Sequence, residues 1–182
     1  MPFTPFHLGP ALSLGLPFRK YIHAPTFILT NVAVDIEPLL MLLLRLNYPL
    51  HGYLHTFISA FFFGLAIGFT MFYLEKFLHP LYKTLLLVPN GTLKMKSFMV
   101  AGAFGAMLHV LFDSPLYAEM QPFFPITTNP LYNSVSSADV YSGCVWLGIF
   151  GLIFYAILVL SHVYKKPKKG TFQEPINKSN VD

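Results

Sequence analysis

His51 and His55 stand four residues apart, as do His109 and Asp113, and each doublet lies at the end of an apolar run long enough to cross a bilayer. On an α-helix that spacing puts two side chains on one face, roughly 6 Å apart, which suits two ligands of one metal centre. Asp35, Glu37 and His7 also lie inside or beside apolar stretches, where ionisable groups are costly and read as functional by default. Imidazole nitrogens and carboxylate oxygens bind zinc well, and they also suit manganese or iron. An open coordination position brings the pKa of water toward neutrality and so supplies a hydrolytic nucleophile. The ligands suffice for one or two divalent ions, and two ions would clamp the attacking and leaving oxygens of a phosphodiester.

Such groups need membrane helices to position them. The chain is 54% hydrophobic and only 11% charged, a composition that points to membrane rather than cytosol. It reads as all-α, an integral membrane helical bundle of about four spanning helices plus a short N-terminal re-entrant or interfacial helix. Residues 1–164 form this domain, and residues 165–182 form a basic, polar tail expected to be disordered. The net charge of +4 is modest, and the basic residues gather at the ends of apolar runs instead of forming an aromatic-interleaved stripe, which argues against nucleic-acid binding. Cys144, the single cysteine, sits in an apolar run and reads as buried core. Met1 to Leu16 carries no basic residue and no small-residue cleavage pattern, and is expected to stay in the mature protein.

Thr4-Pro5 reads as an N-cap and first helical residue of a helix running to about Leu16, with His7 in its first turn. A second segment, Pro25 to Leu44, spans the membrane with an expected kink at Pro38. The third runs from His51 to Leu78 with Gly64 and Gly68 at a helix-packing spacing, the fourth from Ser97 to Asp113 with Ala101 and Gly105 at the same spacing, and the pair forms an antiparallel hairpin. The last span is Val140 to Tyr164. Arg19, Lys20, the Lys76 to Lys96 connection and Lys165 to Lys169 are expected on the cytoplasmic side, with Arg45 opposite. Residues 114–139, long, aromatic and proline-rich, then face outward as an interfacial segment or lid.

With that orientation both doublets reach one level near the outer face. Asp35, ten residues after Pro25, lies roughly 15 Å above the cytoplasmic end, and His7 reaches a similar depth if the first helix re-enters the membrane. The candidate metal ligands are therefore His7, Asp35, His51, His55, His109 and Asp113, with Asp35 also the first choice to take a proton from water or to bridge two ions. Glu37 remains open between ligation, support of a ligand, substrate contact and pairing with Arg45; Asn31, one turn before Asp35, is placed to orient it. Tyr117 and Glu119 are candidate substrate contacts. His23, His79 and His162 read as interfacial or solvated.

In these residues the chain resembles the predicted membrane-bound metal-dependent hydrolases of bacteria and archaea. The likeness rests on the MPFTPFH start, on NVAVDIEP (Asn31 to Pro38), on HGYLHT (His51 to Thr56) and on HVLFDSPLY (His109 to Tyr117). It implies a small helical membrane protein with a metal site. More distantly, the order His7, Asp35, His51 or His55, His109, Asp113 is similar to the ligand order of zinc-dependent phospholipases C, although no second His-x-x-x-Glu pair follows Asp113. The reading is of a multi-pass cell-membrane enzyme; the basic residues put its tail on the cytoplasmic side and its site toward the outer face. Metal-activated water there would cleave an ester, foremost a membrane-lipid phosphodiester. The rival readings are an ion- or proton-coupled transporter subunit, which requires ionisable groups continuing to the cytoplasmic end, and a non-catalytic metal-binding scaffold.

Overall fold

The computed structural model describes residues 5–89 and 91–165. Among them the chain is all-helical: a 3-10 turn at Pro5–His7 leads into α1 (Leu8–Gly15), followed by α2 (Ala24–Ala33), α3 (Ile36–Leu44), a second 3-10 turn at Tyr53–His55, α4 (Phe57–Thr84), α5 (Met95–Asp113) and α6 (Ser137–Lys165). Four stretches are long and apolar enough to cross a membrane: Ala24–Leu44, which joins α2 and α3, then Phe57–Thr84, Met95–Asp113 and Ser137–Tyr164. Thr4, expected as the first N-cap, and the tail after Lys165 fall outside the described residues.

Large apolar side chains such as Phe62, Phe77, Trp146 and Leu152 face outward, while the interior holds small and polar residues including Ala60, Ala101, Thr26, Thr30 and Asn31. Lipid tails are as apolar as leucine, so helices in a bilayer associate through close packing and hydrogen bonds. The α4–α5 hairpin shows this directly. A Cβ on Gly64, Gly68 or Gly102 would collide with backbone across the interface. Gly102, not the expected Ala101 and Gly105, faces the α4 glycines; Gly105 instead lies against Phe27 and Thr30 of α2. The reason is that α5 packs on both α4 and α2, so neighbouring small residues serve different partners. The short α1 is seated on α6 in the same way, with Gly9 against Cys144 and Gly148, and Gly151 against Leu12 and Ser13.

Two helix boundaries depart from the sequence expectation, and both shape the site. The Pro25 to Leu44 span breaks at Val34 and Asp35 rather than kinking at Pro38. Proline lacks an N–H and its ring crowds the carbonyl four residues back, here that of Val34. That carbonyl instead accepts the Glu37 N–H at 3.2 Å, a tightened turn repeated by Asp35 N–H to Val32 O at 3.2 Å. The third span starts at Phe57, not His51, because the Thr56 hydroxyl caps the helix by accepting the Ser59 N–H at 3.1 Å. His51 and His55 therefore occupy a connection and its 3-10 turn, not one face of a helix.

Residues 114–136 fold back over this end of the bundle through a series of turns. Asn129 fastens the segment by donating to Ser114 O (2.8 Å) and Tyr117 O (2.9 Å), and Pro122 O accepts the Phe57 N–H at 2.9 Å. Met120, fully buried, packs with Val34, Ala60, Ala106 and Val110.

Because backbone meets backbone at Gly102, Gly102→Leu should cost at least about 2 kcal/mol by overpacking, lowering the thermal midpoint in detergent or abolishing the monodisperse species. Gly143→Leu, where a Cβ meets nothing within 4 Å, should leave both unchanged; equal tolerance of the two substitutions would refute the packing assignment.

Candidate metal centre

The inner face of α5 runs through Phe98, Gly102, Gly105, Ala106, His109 and Asp113, all buried. Its small residues let α4 and α2 close in, and its last turn delivers His109 and Asp113 to the point where α2 breaks and α4 begins. Asp35 arrives from the break and His55 from the 3-10 turn. One ligand atom from each of Asp35, His55, His109 and Asp113 lies within 4.8 Å of the other three, and all four residues are buried. His109 Nε2 is 3.4 Å from Asp35 Oδ1 and 3.3 Å from Asp113 Oδ2, while His55 Nε2 is 4.0 Å from the same Asp113 oxygen.

The opposite ring nitrogens explain why these contacts are not ordinary hydrogen bonds. His55 Nδ1 lies 2.8 Å from Glu37 Oε2, and His109 Nδ1 lies 2.6 Å from the Asn31 carbonyl. Both partners only accept, so Nδ1 carries the proton and a neutral ring presents a bare lone pair at Nε2. Both Nε2 atoms are buried without a hydrogen-bond partner. Lone pairs facing carboxylate oxygens repel unless a ring proton or a metal cation lies between them, and the His109 contacts at 3.4 and 3.3 Å are longer than a charge-assisted hydrogen bond. For bond lengths near 2.05 Å the edge of a tetrahedron is about 3.3 Å, matching the two His109 contacts, with the His55 side somewhat wider. Two carboxylates and two neutral imidazoles also balance the charge of a divalent ion, and the ion pairs described here all join a histidine to a carboxylate, with no Lys or Arg brought in to neutralise the acids. The residues present fit a divalent metal.

The remaining candidates take places around this group. His7 Nε2 lies 3.0 Å from Asp113 Oδ1, on the oxygen that the other histidines leave, and its ring sits 4.1 Å from that of His109. Glu37 does not pair with Arg45; besides His55 it accepts the N–H groups of Gly52 and Leu54, both at 3.1 Å, and so holds the whole connection in place. Asn31 does not orient Asp35. Its amide donates to Gly105 O at 3.0 Å, and its backbone carbonyl sets the His109 tautomer.

His51, expected as a ligand, stands outside the four-residue group. Its Nδ1 bonds Glu119 Oε1 at 2.8 Å, its ring stacks on Tyr117 at 3.8 Å, and it meets the His55 ring edge-on at 4.8 Å. Burial pulls its imidazole below the ordinary pKa, with Glu119 offsetting only part of the shift. Beyond it opens a cavity of about 210 Å³, lined by Tyr48, Tyr53, Thr56, Glu119 and Gln121. His51 is thus the wall between that cavity and the metal group.

Sequence reasoning missed a second ionisable set, built on one buried histidine and two half-buried partners. His23, read as interfacial or solvated, is wholly buried, with Nε2 3.0 Å from Glu75 Oε2, while Glu75 Oε1 bonds His79 Nδ1 at 2.8 Å. The four-residue spacing of Glu75 and His79 inside a span was visible; the contribution of His23 was not, because it comes from another segment.

Fold and site together define an all-helical, multi-pass membrane protein with a buried histidine and aspartate group able to hold a metal ion. No protein-family model, no curated protein and no solved structure matches the chain.

Metal analysis of detergent-purified protein should find about one divalent ion per chain, as the donor count of a single site requires, with stoichiometric loss in His55→Ala, His109→Ala and Asp113→Ala and retention in His51→Ala. Glu37→Gln should keep the stoichiometry at saturation but weaken affinity about 10- to 100-fold, the usual effect of removing the group that orients a ligating imidazole. Unchanged affinity in Glu37→Gln would show that the carboxylate charge behind His55 does not matter.

Proposed function

We propose that the protein is a membrane-embedded metal-dependent hydrolase, with zinc as the metal and an ester of a membrane lipid, foremost a phosphodiester, as substrate. The observation that carries this reading is the pair of tautomer-fixed, unpartnered Nε2 atoms of His55 and His109 facing Asp35 and Asp113. The resemblance of the chain's His- and Asp-bearing stretches to membrane-bound metal-dependent hydrolases supports the same conclusion. His55, His109 and Asp113 would hold the ion, leaving a donor position beside Asp35 to water; the ion would supply Lewis acidity and ease loss of a proton from that water.

The chain's own groups divide the remaining work. Asp35, on a helix break rather than within a helical turn, is the carboxylate set to take the proton from water. His7 holds Asp113 from behind, and Glu37 holds His55. A substrate entering the cavity beside Glu119 meets His51 first, whose neutral ring, fixed by Glu119 and Tyr117, separates water in the cavity from the buried group. The outward orientation of this site follows from placing Arg19, Lys20 and Lys83 on the cytoplasmic side.

Transport has one observation in its favour: a second ionisable set, His23, Glu75 and His79, lies near the other end of the helices, with Thr26, Thr30 and Asn31 buried between. That stripe is interrupted. The Thr30 hydroxyl is spent on carbonyls of its own helix, and Gly105 packs directly against Thr30 and Phe27.

Protein reconstituted with zinc into vesicles of defined phospholipids should release hydrolysed lipid, read by mass spectrometry. Chelation should stop it and zinc restore it, and Asp35→Asn should lower the rate at least about 100-fold, the contribution usual for a general base. Zinc flux across the vesicle wall without lipid turnover would replace hydrolysis by transport.

A further inference from the structure

At the end of the bundle away from the metal group, the turn after α1, the connection after α4 and the last turns of α6 enclose a cavity of about 770 Å³. The cavity is built rather than incidental to splayed helix ends. Arg19 donates from Nη1 to the Leu86 carbonyl, which fixes a half-buried guanidinium across the gap, and the Tyr155 hydroxyl donates to Leu85 O at 3.0 Å, tying α6 to the same connection. Arg19, Lys20, Lys83 and His162 line it, and no carboxylate is among its described lining residues. Phe154 and Leu158 of α6 form its opposite wall, on a span most of whose other large side chains face outward.

Cations drawn from two separate segments into one concavity repel one another unless an anion joins them. A phosphate carries the charge and acceptor oxygens that a guanidinium and two ammonium groups recognise. The apolar wall beside the cations is what the first methylenes of an acyl chain need, and basic pockets between helices at a membrane surface are recurrent headgroup sites. We propose that this cavity binds the phosphate headgroup of an anionic phospholipid, drawn from the leaflet opposite the metal centre. It is a lipid site separate from the hydrolytic one, and it stands whether or not the metal centre is catalytic.

The test is native mass spectrometry of the full chain in detergent, titrated with phosphatidylglycerol, phosphatidylcholine or inorganic phosphate. Phosphatidylglycerol should bind more tightly than phosphatidylcholine. Lys20→Gln and Lys83→Gln, both exposed side chains, should each reduce that preference about fivefold, the effect of one cation near a membrane surface. Arg45→Gln, near the opposite end, should leave it intact, and the basic tail stays in every variant. Equal binding of the two lipids, or a preference unaltered in both lysine variants, would overturn the proposal. So would saturation by inorganic phosphate with no preference between lipids, which would make the site one for free anions.

Discussion

The structure turns on two carboxylates and two imidazoles held together where there is little water to solvate them. An unpaired charge inside a bilayer costs several kcal/mol, on the order of 3 by insertion scales, and among the described ion pairs Asp35 and Asp113 face histidines, not Lys or Arg. Both His55 and His109 are committed through Nδ1 to an acceptor, so each neutral ring offers a lone pair, not a proton, to the acids. The arrangement is complementary to a cation, and the surrounding fold can be understood as what keeps it so.

Each supporting element has a physical cause of its own. Pro38 frees the Val34 carbonyl and opens α2 from α3 so that Asp35 projects from a break. Thr56 starts α4 late enough that His55 sits on a short turn, which Glu37 then grips by two backbone N–H groups and an imidazole. The glycines of α5 bring α4 and α2 to backbone contact on two sides of His109. Larger residues there would push the neighbouring helices away and pull the ligands apart. The segment after α5 closes the group from above through Met120 and the Tyr117, His51 and Glu119 stack.

The two ends of the bundle differ in chemistry. One carries acids and histidines with a small cavity behind His51; the other carries arginine and lysines around a larger one. Between them, α2 is lined with buried Thr26, Thr30 and Asn31; Thr30 and Asn31 donate to backbone carbonyls, while the Thr26 hydroxyl pairs with the His23 ring. Polar residues of this kind join helices in an apolar solvent. His23, Glu75 and His79 extend that polar seam to the basic end without meeting the metal group.

Much of this was legible in the chain. Spans are marked by runs of apolar residues because the bilayer sets a minimum length, and ionisable residues within such runs stand out because their cost must be met; His109 and Asp113 could be placed on one face because nothing breaks α5 between them. What lay beyond the sequence were relations between segments. His51 and His55 share the spacing of His109 and Asp113, yet the Thr56 cap takes them out of the helix, and only the packing of residues 114–136 decides that Glu119 and Tyr117 claim His51. Glu37 was recognisable as costly, but its partner comes from a turn 18 residues further along. His23 looked like a boundary residue until Glu75 and Phe98 enclosed it. Local sequence by itself determined which residues are costly to bury and which helices carry them, since both depend on neighbours along the chain; tertiary structure alone decided who meets whom, since tautomer, pairing and enclosure depend on neighbours in space.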